Sequence, residues 1–187
     1  MARSLSTIST KRTFKATMVD TGIDAVGSAQ VPYQGSTVDH DPAWTTGTGD
    51  GQADRVWVEK DITLAAAASI SVDLYDFAGR DIGKGSGIDA QGYAMALAEI
   101  AYIGVRVTST GTGKVRIGGE GSGAAWNSGF GGSDSAVSHD VGEGGSWELV
   151  AWNDGDLPVA DTTNHLLKFL GVTASVTFDL VILGRSA

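Results

Sequence analysis

The stretch SVTFDLVILG, residues 175–184, restricts the possible fold more than any other part of the chain. Val176, Phe178, Leu180 and Ile182 lie on one face if the stretch is extended, because successive side chains of a strand point to opposite sides. The other face becomes apolar toward its end, which predicts a strand that is buried on both sides. Such a strand needs neighbours in a sheet and a second layer that covers it.

The same period-two alternation recurs along the chain and predicts an all-β protein. Further strands are predicted at residues 55–65, 69–77, 100–107, 114–117, 146–153 and 165–171. The sequence contains 27 glycines and 3 prolines, a composition that suits many short strands joined by turns. Strands of this number with regularly spaced turns are typical of an antiparallel β-sandwich or jelly roll.

Two short turns are predicted to close β-hairpins. Residues 110–113, TGTG, separate two predicted strands, and residues 171–174, GVTA, separate the last two. Short connections that contain glycine commonly join antiparallel neighbours. We therefore expect each turn to connect two strands that pair within the same sheet.

Residues 1–52 differ from the rest and are predicted to form an extended N-terminal arm on a body that spans residues 53–187. The arm shows little periodicity and has too few apolar residues to fold alone. Residues 1–19 carry a charge of +4. Because the net charge of the whole chain is −9, the remaining residues carry −13. A basic arm can dock on an acidic neighbour, including another copy of the chain. The candidate partner contacts in the arm are Arg3, Lys11, Arg12, Phe14, Lys15, Tyr33 and Trp44.

The composition argues against several classes of function. The chain has no cysteine, which excludes disulfides, thiol catalysis and iron–sulfur clusters. Its acidic balance argues against nucleic acid as a partner. No segment approaches the roughly 20 apolar residues that span a membrane, and no apolar signal region opens the sequence. We therefore expect a soluble product made in the cytoplasm.

Residues 119–124, GEGSGA, match the G-x-G-x-x-A spacing of a dinucleotide-binding turn. A cofactor site requires a helix directly after the glycines, because the helix N-terminus holds the phosphates. Gly129, Gly131 and Gly132 interrupt any such helix, and Glu120 adds a negative charge beside the phosphates. We interpret the motif as a glycine-rich turn and predict no cofactor.

No group of residues has the arrangement that catalysis requires, and we predict that the protein is not an enzyme. Residues 138–140, Ser-His-Asp, lie in a predicted loop, and adjacent residues seldom meet as nucleophile, base and orienting group. His165 is interpreted as a hydrogen-bonding residue at a strand edge. The acidic loops at residues 49–54 and 153–156 offer oxygen ligands for calcium, but Asp-Gly is also ordinary turn sequence. We predict no metal site.

The five tryptophans offer a possible contact surface. Trp147 and Trp152 are separated by an odd number of positions, so on one regular strand they face opposite sides. Aromatic residues are enriched at protein interfaces, and Trp126 and Trp152 are the candidate oligomer-interface residues. A carbohydrate-binding platform is an alternative use of the same side chains.

Three stretches together resemble small virion proteins of tailed bacteriophages. In order, they are DGQADRVWVEKDITLAAAASISVDLYDFAG, IAYIGVRVTSTGTGKVRIGGEGSGAAW and NHLLKFLGVTASVTFDLVILG. The resemblance covers Asp50–Gly184 and is most specific over the last of the three. Its motifs are structural and carry no catalytic residue. The chain departs from the pattern in the long arm and at residues 137–161, which leaves the mode of docking open.

The resemblance implies a structural role in the virion. Combined with a compact sandwich and an arm, it predicts a capsid decoration (cement) protein on the capsid exterior. The expected partners are the major capsid protein and further copies of the chain, with a trimer slightly preferred over a dimer. The alternatives are a tail, fibre-base or head–tail connector component and, from a different class, a carbohydrate-binding module. No nucleic acid, membrane or cofactor partner is expected.

Overall fold

The computed structural model describes residues 8–9, 43–45, 47–89, 92–118, 124–130 and 137–186. These ranges contain ten β-strands and one short 3₁₀ helix, Ser128–Phe130. The strands are β1 Ile8–Ser9, β2 Ala43–Trp44, β3 Arg55–Leu64, β4 Ser69–Asp73, β5 Leu97–Val107, β6 Lys114–Gly118, β7 Ser138–Val141, β8 Ser146–Val150, β9 Leu166–Val172 and β10 Val176–Ser186. The predicted all-β class is confirmed. The division into an arm and a body stays a prediction, since most of residues 1–52 lie outside the described ranges.

Eight of the strands form two antiparallel sheets that pack face to face. The first sheet has the strand order β3-β10-β5-β8, and the second has the order β4-β9-β6-β7. Among these eight strands, all that follow each other along the chain lie in different sheets, except β6 and β7. This is the strand order of a jelly roll, so the predicted sandwich is confirmed.

The inner core lies between the two sheets and is built by alternating side chains. Val176, Phe178, Leu180 and Ile182 of β10 are all fully buried, as the sequence predicts. The Phe178 ring stacks on Phe169 of β9 in the second sheet, with ring centroids 5.4 Å apart. Because β10 lies between β3 and β5, one of its faces forms the centre of the inner core.

Both predicted hairpins are wrong. Residues 110–113 connect β5 in the first sheet to β6 in the second, and residues 173–175 connect β9 in the second sheet to β10 in the first. The two crossovers lie against each other: a Cβ atom on Gly113 would come within 2.1 Å of the Ser175 carbonyl oxygen. A short glycine turn fixes a reversal of direction but does not decide which sheet the next strand joins.

Strand β7 was missed because its sequence, SHDV, lacks the apolar alternation that identifies a strand. Residues 138–140 were predicted as loop, yet they pair with β6 at the edge of the second sheet. An edge strand has only one neighbour and tolerates polar side chains on its exposed face. The pairing itself therefore comes from the hydrogen-bonding edge that β6 presents.

Candidate interaction surface

A second apolar cluster lies on the outer face of the first sheet and is separate from the inner core. Its buried members, called the outer cluster below, are Trp44, Ala53, Ala101, Tyr102 and Leu183, with Val56 and Val181 packed against them. Leu183 lies on the face of β10 opposite Ile182, so this strand is buried on both sides. The apolar end of the second face of β10 predicts this burial.

A β-bulge explains why β5 contributes two consecutive residues to the outer cluster. Leu183 pairs with Tyr102, but the next residue, Gly184, pairs with Ile100, so Ala101 is the extra residue. A bulge of this kind changes the alternation of side chains along the strand. Ile100 thus remains in the inner core, while Ala101 and Tyr102 both join the outer cluster.

Trp44 is the centre of the outer cluster and is fully buried. Its ring centroid is 5.7 Å from that of Tyr102 and 6.4 Å from that of Trp152. The backbone of Trp44 belongs to β2, which pairs in antiparallel register with β1. Trp44 was predicted as a contact to a partner, whereas its side chain contacts the body of its own chain. Its indole N–H has no acceptor among the described residues.

The buried side chain of Arg185 fastens the segment after β2 to the end of the sandwich. The guanidinium forms an ion pair with Glu99, and both side chains are almost completely buried. Arg185 also donates hydrogen bonds to the carbonyl oxygens of Gln52 at 2.8 Å and Trp152 at 3.0 Å. One arginine thereby ties two loops to β5 and β10. The remaining oxygen of Glu99 accepts a hydrogen bond from the amide of Gly155.

Desolvation by burial lowers the pKa of Arg185, and the negative charge of Asp50 opposes this change. An arginine side chain stays protonated in proteins, so the buried guanidinium remains a cation. An unpaired buried charge is strongly unfavourable, which makes Glu99 and the surrounding carbonyl oxygens necessary for burial. We regard this group as a structural anchor, because its donors are directed to the protein itself.

The two acidic loops that were considered as calcium ligands meet around this anchor. The Asp50 carboxylate accepts a hydrogen bond from the amide of Asp154 at 2.7 Å. The Asp54 carboxylate accepts hydrogen bonds from the amide and the hydroxyl of Ser186, at 2.8 and 2.6 Å. Across the described ranges, no three acidic or histidine side chains are grouped so as to hold a metal ion. Where these two loops meet, the positive charge between them is the buried guanidinium of Arg185.

The exposed apolar part of this region consists of Val150 and Trp152. They are 42% and 47% exposed, and they are the large apolar side chains with the greatest exposure in the described ranges. Trp152 lies directly over Gly51, where an added Cβ would come within 2.6 Å of the indole ring. The exposed patch therefore borders the segment that carries Trp44.

The other candidate contact residues fall into two groups. Trp126 is 2% exposed, and its indole N–H donates to the carbonyl oxygen of Pro158 at 3.0 Å. This burial leaves Trp126 almost no surface for an oligomer contact in this conformation, whereas Trp152 has such a surface. The remaining candidates lie outside the described residues: Arg3, Lys11, Arg12, Phe14, Lys15 and Tyr33.

The glycine motif has no helix at its described end. Residues 119–123 lie outside the described ranges, and the chain from Ala124 to Phe130 contains a turn followed by one 3₁₀ turn at Ser128–Phe130. Ala125 instead forms a bridge to Leu166 of β9. This backbone agrees with the interpretation of the motif as part of a β-sheet connection.

The histidines do not assemble into a catalytic group in the described ranges. The Asp140 carboxylate is paired with Arg116, with N–O distances of 2.7 and 3.0 Å, instead of orienting His139. The His139 ring lies beside the ring of Trp147, with centroids 5.8 Å apart. His165 is mostly buried, with Nε2 3.7 Å from the Asp73 carboxylate. These positions favour structural roles for both histidines.

Comparison with protein-family models, with curated proteins and with solved structures finds no match to this chain. The resemblance to virion proteins of tailed phages therefore stays a prediction from the sequence. The short 3₁₀ turn, which is the one helical element in the described ranges, does not have the length to cross a membrane.

The sequence interpretation missed Arg185 and Glu99, although one signal could have identified them. Each lies in a run of small and apolar residues that predicts burial: Glu99 in ALAEIAYIG and Arg185 directly after VILG. A charged residue within a buried strand requires an opposite charge nearby. Two such residues of opposite sign therefore predict each other as partners.

Proposed function

We propose that the protein is a structural protein of a phage virion, and specifically a capsid decoration protein that clamps subunits of the major capsid protein. Two features support this proposal: the resemblance over Asp50–Gly184 and the jelly-roll body. Fold alone does not define function, and many unrelated proteins use this architecture.

The observation that carries the proposal is the anchoring of the segment Trp44–Ala53. This segment is fixed to the body through Arg185 and the outer cluster, so β2 lies at a defined place on the body. That place borders the exposed Val150 and Trp152. A jelly-roll body with an exposed apolar patch, together with the arm predicted from the sequence, suits a protein that binds several subunits of a repetitive lattice, where many weak contacts give high avidity.

The composition of purified virions tests this function. Quantitative mass spectrometry is expected to find this chain at a copy number comparable to that of the major capsid protein. A copy number far lower, with the protein at one vertex in labelled images, would overturn the decoration role and favour a tail, fibre-base or connector component. An absence from virions would overturn every virion role.

A carbohydrate-binding module is the second candidate function, because Trp152 is exposed beside acidic loops. Trp126, the other tryptophan considered for a sugar platform, is buried. Glycan-array binding that is lost in Trp152→Ala would support this function. Trp126→Ala is expected to act through stability instead, which separates the two substitutions.

A further inference from the structure

We propose that β1 acts in trans: residues Ile8–Ser9 of one copy pair with β2 of a neighbouring copy and link the two chains. The starting observation is the antiparallel register of Ile8 with Trp44 and of Ser9 with Ala43. Only two residues of each strand take part. An isolated ribbon of two strands is marginally stable at best, so the pairing within one chain is weak.

The length of chain between β1 and β2 permits either arrangement. Residues 10–42 form a connector of 33 residues. Such a chain can extend to about 110 Å at about 3.3 Å per residue. A body of this size has a diameter of about 35–40 Å by its expected radius of gyration. The connector is therefore long enough for β1 to reach β2 on an adjacent copy.

The strand contacts are the same within one chain and between two chains, so exchange of β1 sacrifices no hydrogen bond. What distinguishes the two arrangements is the surface beside β2. Val150 and Trp152 are exposed in the single chain, and a second copy brought to β2 is placed next to them. Covering apolar surface is favourable, and this gain exists only when two copies meet.

Charge complementarity favours a copy of this chain, and not an unrelated protein, as the occupant beside β2. The sequence that flanks β1 contains Arg3, Lys11, Arg12 and Lys15 and carries +4 within residues 1–19. The acidic rim beside β2 consists of Asp50, Asp154 and Asp156, all exposed. Opposite charges in the sequence that flanks β1 and on the rim beside β2 favour association and make it dependent on salt concentration.

This proposal deepens the expectation from the sequence that copies of the chain associate, an association that the proposed function would use, but it is tested on the purified full chain without any capsid. A failure here therefore leaves the decoration role open, and a failure of the virion experiment leaves strand exchange open. The natural chain has no cysteine, so introduced thiols report only on the chosen positions.

The test uses Ser9→Cys and Ala43→Cys, at positions that are directly opposite in the strand register. Residues opposite each other in antiparallel strands have Cα atoms about 4.5–5.5 Å apart, which suits a disulfide. The two single variants are co-expressed with different tags and oxidised gently. We expect a covalent dimer that carries both tags as the main product on a non-reducing gel.

The matched control pairs Ala43→Cys with Ser69→Cys, an exposed position on β4 of the second sheet. The control is expected to remain monomeric on the gel. An equal yield of dimer in the control would overturn the proposal, because the dimers would then arise from random collision. Persistence of monomer in the mixture of Ser9→Cys and Ala43→Cys chains would also overturn it, even if a chain that carries both substitutions forms the disulfide within itself.

Light scattering after size exclusion gives an independent measurement that needs no cysteine. The full chain is expected to be an oligomer, and removal of residues 1–19 is expected to convert it to a monomer with an unchanged near-ultraviolet circular dichroism spectrum; a full chain that is itself monomeric would overturn the proposal. An oligomer of the same subunit number after the removal would overturn the proposal. A variant that loses its folded spectrum would mean that β1 completes its own body, which also contradicts exchange.

Discussion

The inner core and the outer cluster each contain a completely buried tryptophan, Trp57 and Trp44, yet the chain builds them in different ways. The inner core comes from regular alternation on long strands, such as β10 against β9. The outer cluster needs a bulge at Ala101, a buried ion pair and a segment from outside the two four-stranded sheets. The first is a property of the sandwich as a whole, and the second is local.

This difference has a consequence for stability. Removal of an inner-core side chain weakens the contact between the two sheets and hence the whole fold. The outer cluster can instead open when its segment detaches, while the sandwich remains closed. Local opening of this kind requires less free energy than global unfolding. The following predictions separate the two regions, from the largest expected effect to the smallest.

Phe178→Ala is expected to lower the free energy of unfolding by about 4 kcal/mol, since Phe→Ala changes in a core leave a cavity. Urea denaturation monitored by tryptophan fluorescence measures this loss. Trp44→Ala removes a larger side chain, yet it should lower the free energy less, because the segment can detach. If Trp44→Ala destabilises the protein as much as Phe178→Ala, the outer cluster is part of the global core.

Arg185→Met is expected to lower the free energy of unfolding by about 3 kcal/mol, because it leaves Glu99 buried without its partner. Glu99→Leu should have a similar effect. The double variant should lose less than the sum of the two, since no unpaired charge remains. Hydrogen exchange should accelerate at the amides of Gly51 and Ala53 in each variant. Additive losses would show that the two side chains act independently.

Gly51→Ala tests the contact between the segment and Trp152. Gly51 has φ +64° and Gly155 has φ +84°, so alanine is strained at both by about 1–2 kcal/mol. Only at Gly51 does the new Cβ also contact Trp152, while the space around Gly155 is open. Gly51→Ala should therefore be the more destabilising and should shift the Trp152 fluorescence. Equal effects of the two variants would mean that backbone strain alone matters.

Asp140→Asn is expected to have the smallest effect, about 0.2–1 kcal/mol, because its ion pair with Arg116 is exposed. Hydrogen bonding from Arg116 lowers the pKa of Asp140 below its usual 3.8. A lowered folded-state pKa contributes stability above the unfolded-state value, and that contribution is lost as the pH falls further. The difference between variant and natural protein should thus be present at pH 6 and vanish well below 3.8. A constant difference would assign the effect to something other than ionisation.

The sequence predicts which side chains of a strand are buried, but it does not predict which strands pair to form each sheet. Alternation in β10 and β4 identifies the buried residues, such as Val72 and Phe178, because side-chain period depends only on local geometry. The turns at residues 110–113 and 171–174 were mistaken for hairpins because their partner strands are chosen by contacts far along the chain. The short polar strand β7 gives no periodic signal at all.

Part of the candidate surface was also predictable. Trp152 is one of the two candidate interface residues and it is exposed, but it lies beyond the end of β8 at Val150, so its spacing from Trp147 on one strand does not explain that exposure. Trp126 has no feature in its own sequence that separates it from Trp152, since its burial depends on Pro158 and Phe130. Arg185 joins residues 133 positions away, at Gln52, and a contact over that separation leaves no local pattern.

The central place of β10 in the first sheet also sets the order in which the fold can form. Strands β3 and β5 both pair with β10 and do not pair with each other. Val176 of β10 pairs with Leu64 of β3, more than a hundred residues earlier in the chain. Contacts so distant in sequence slow folding, because a long loop must close before they form. Strands β3 and β5 are therefore synthesised well before β10, and the first sheet can close only after residues 176–186 become available to pair with both.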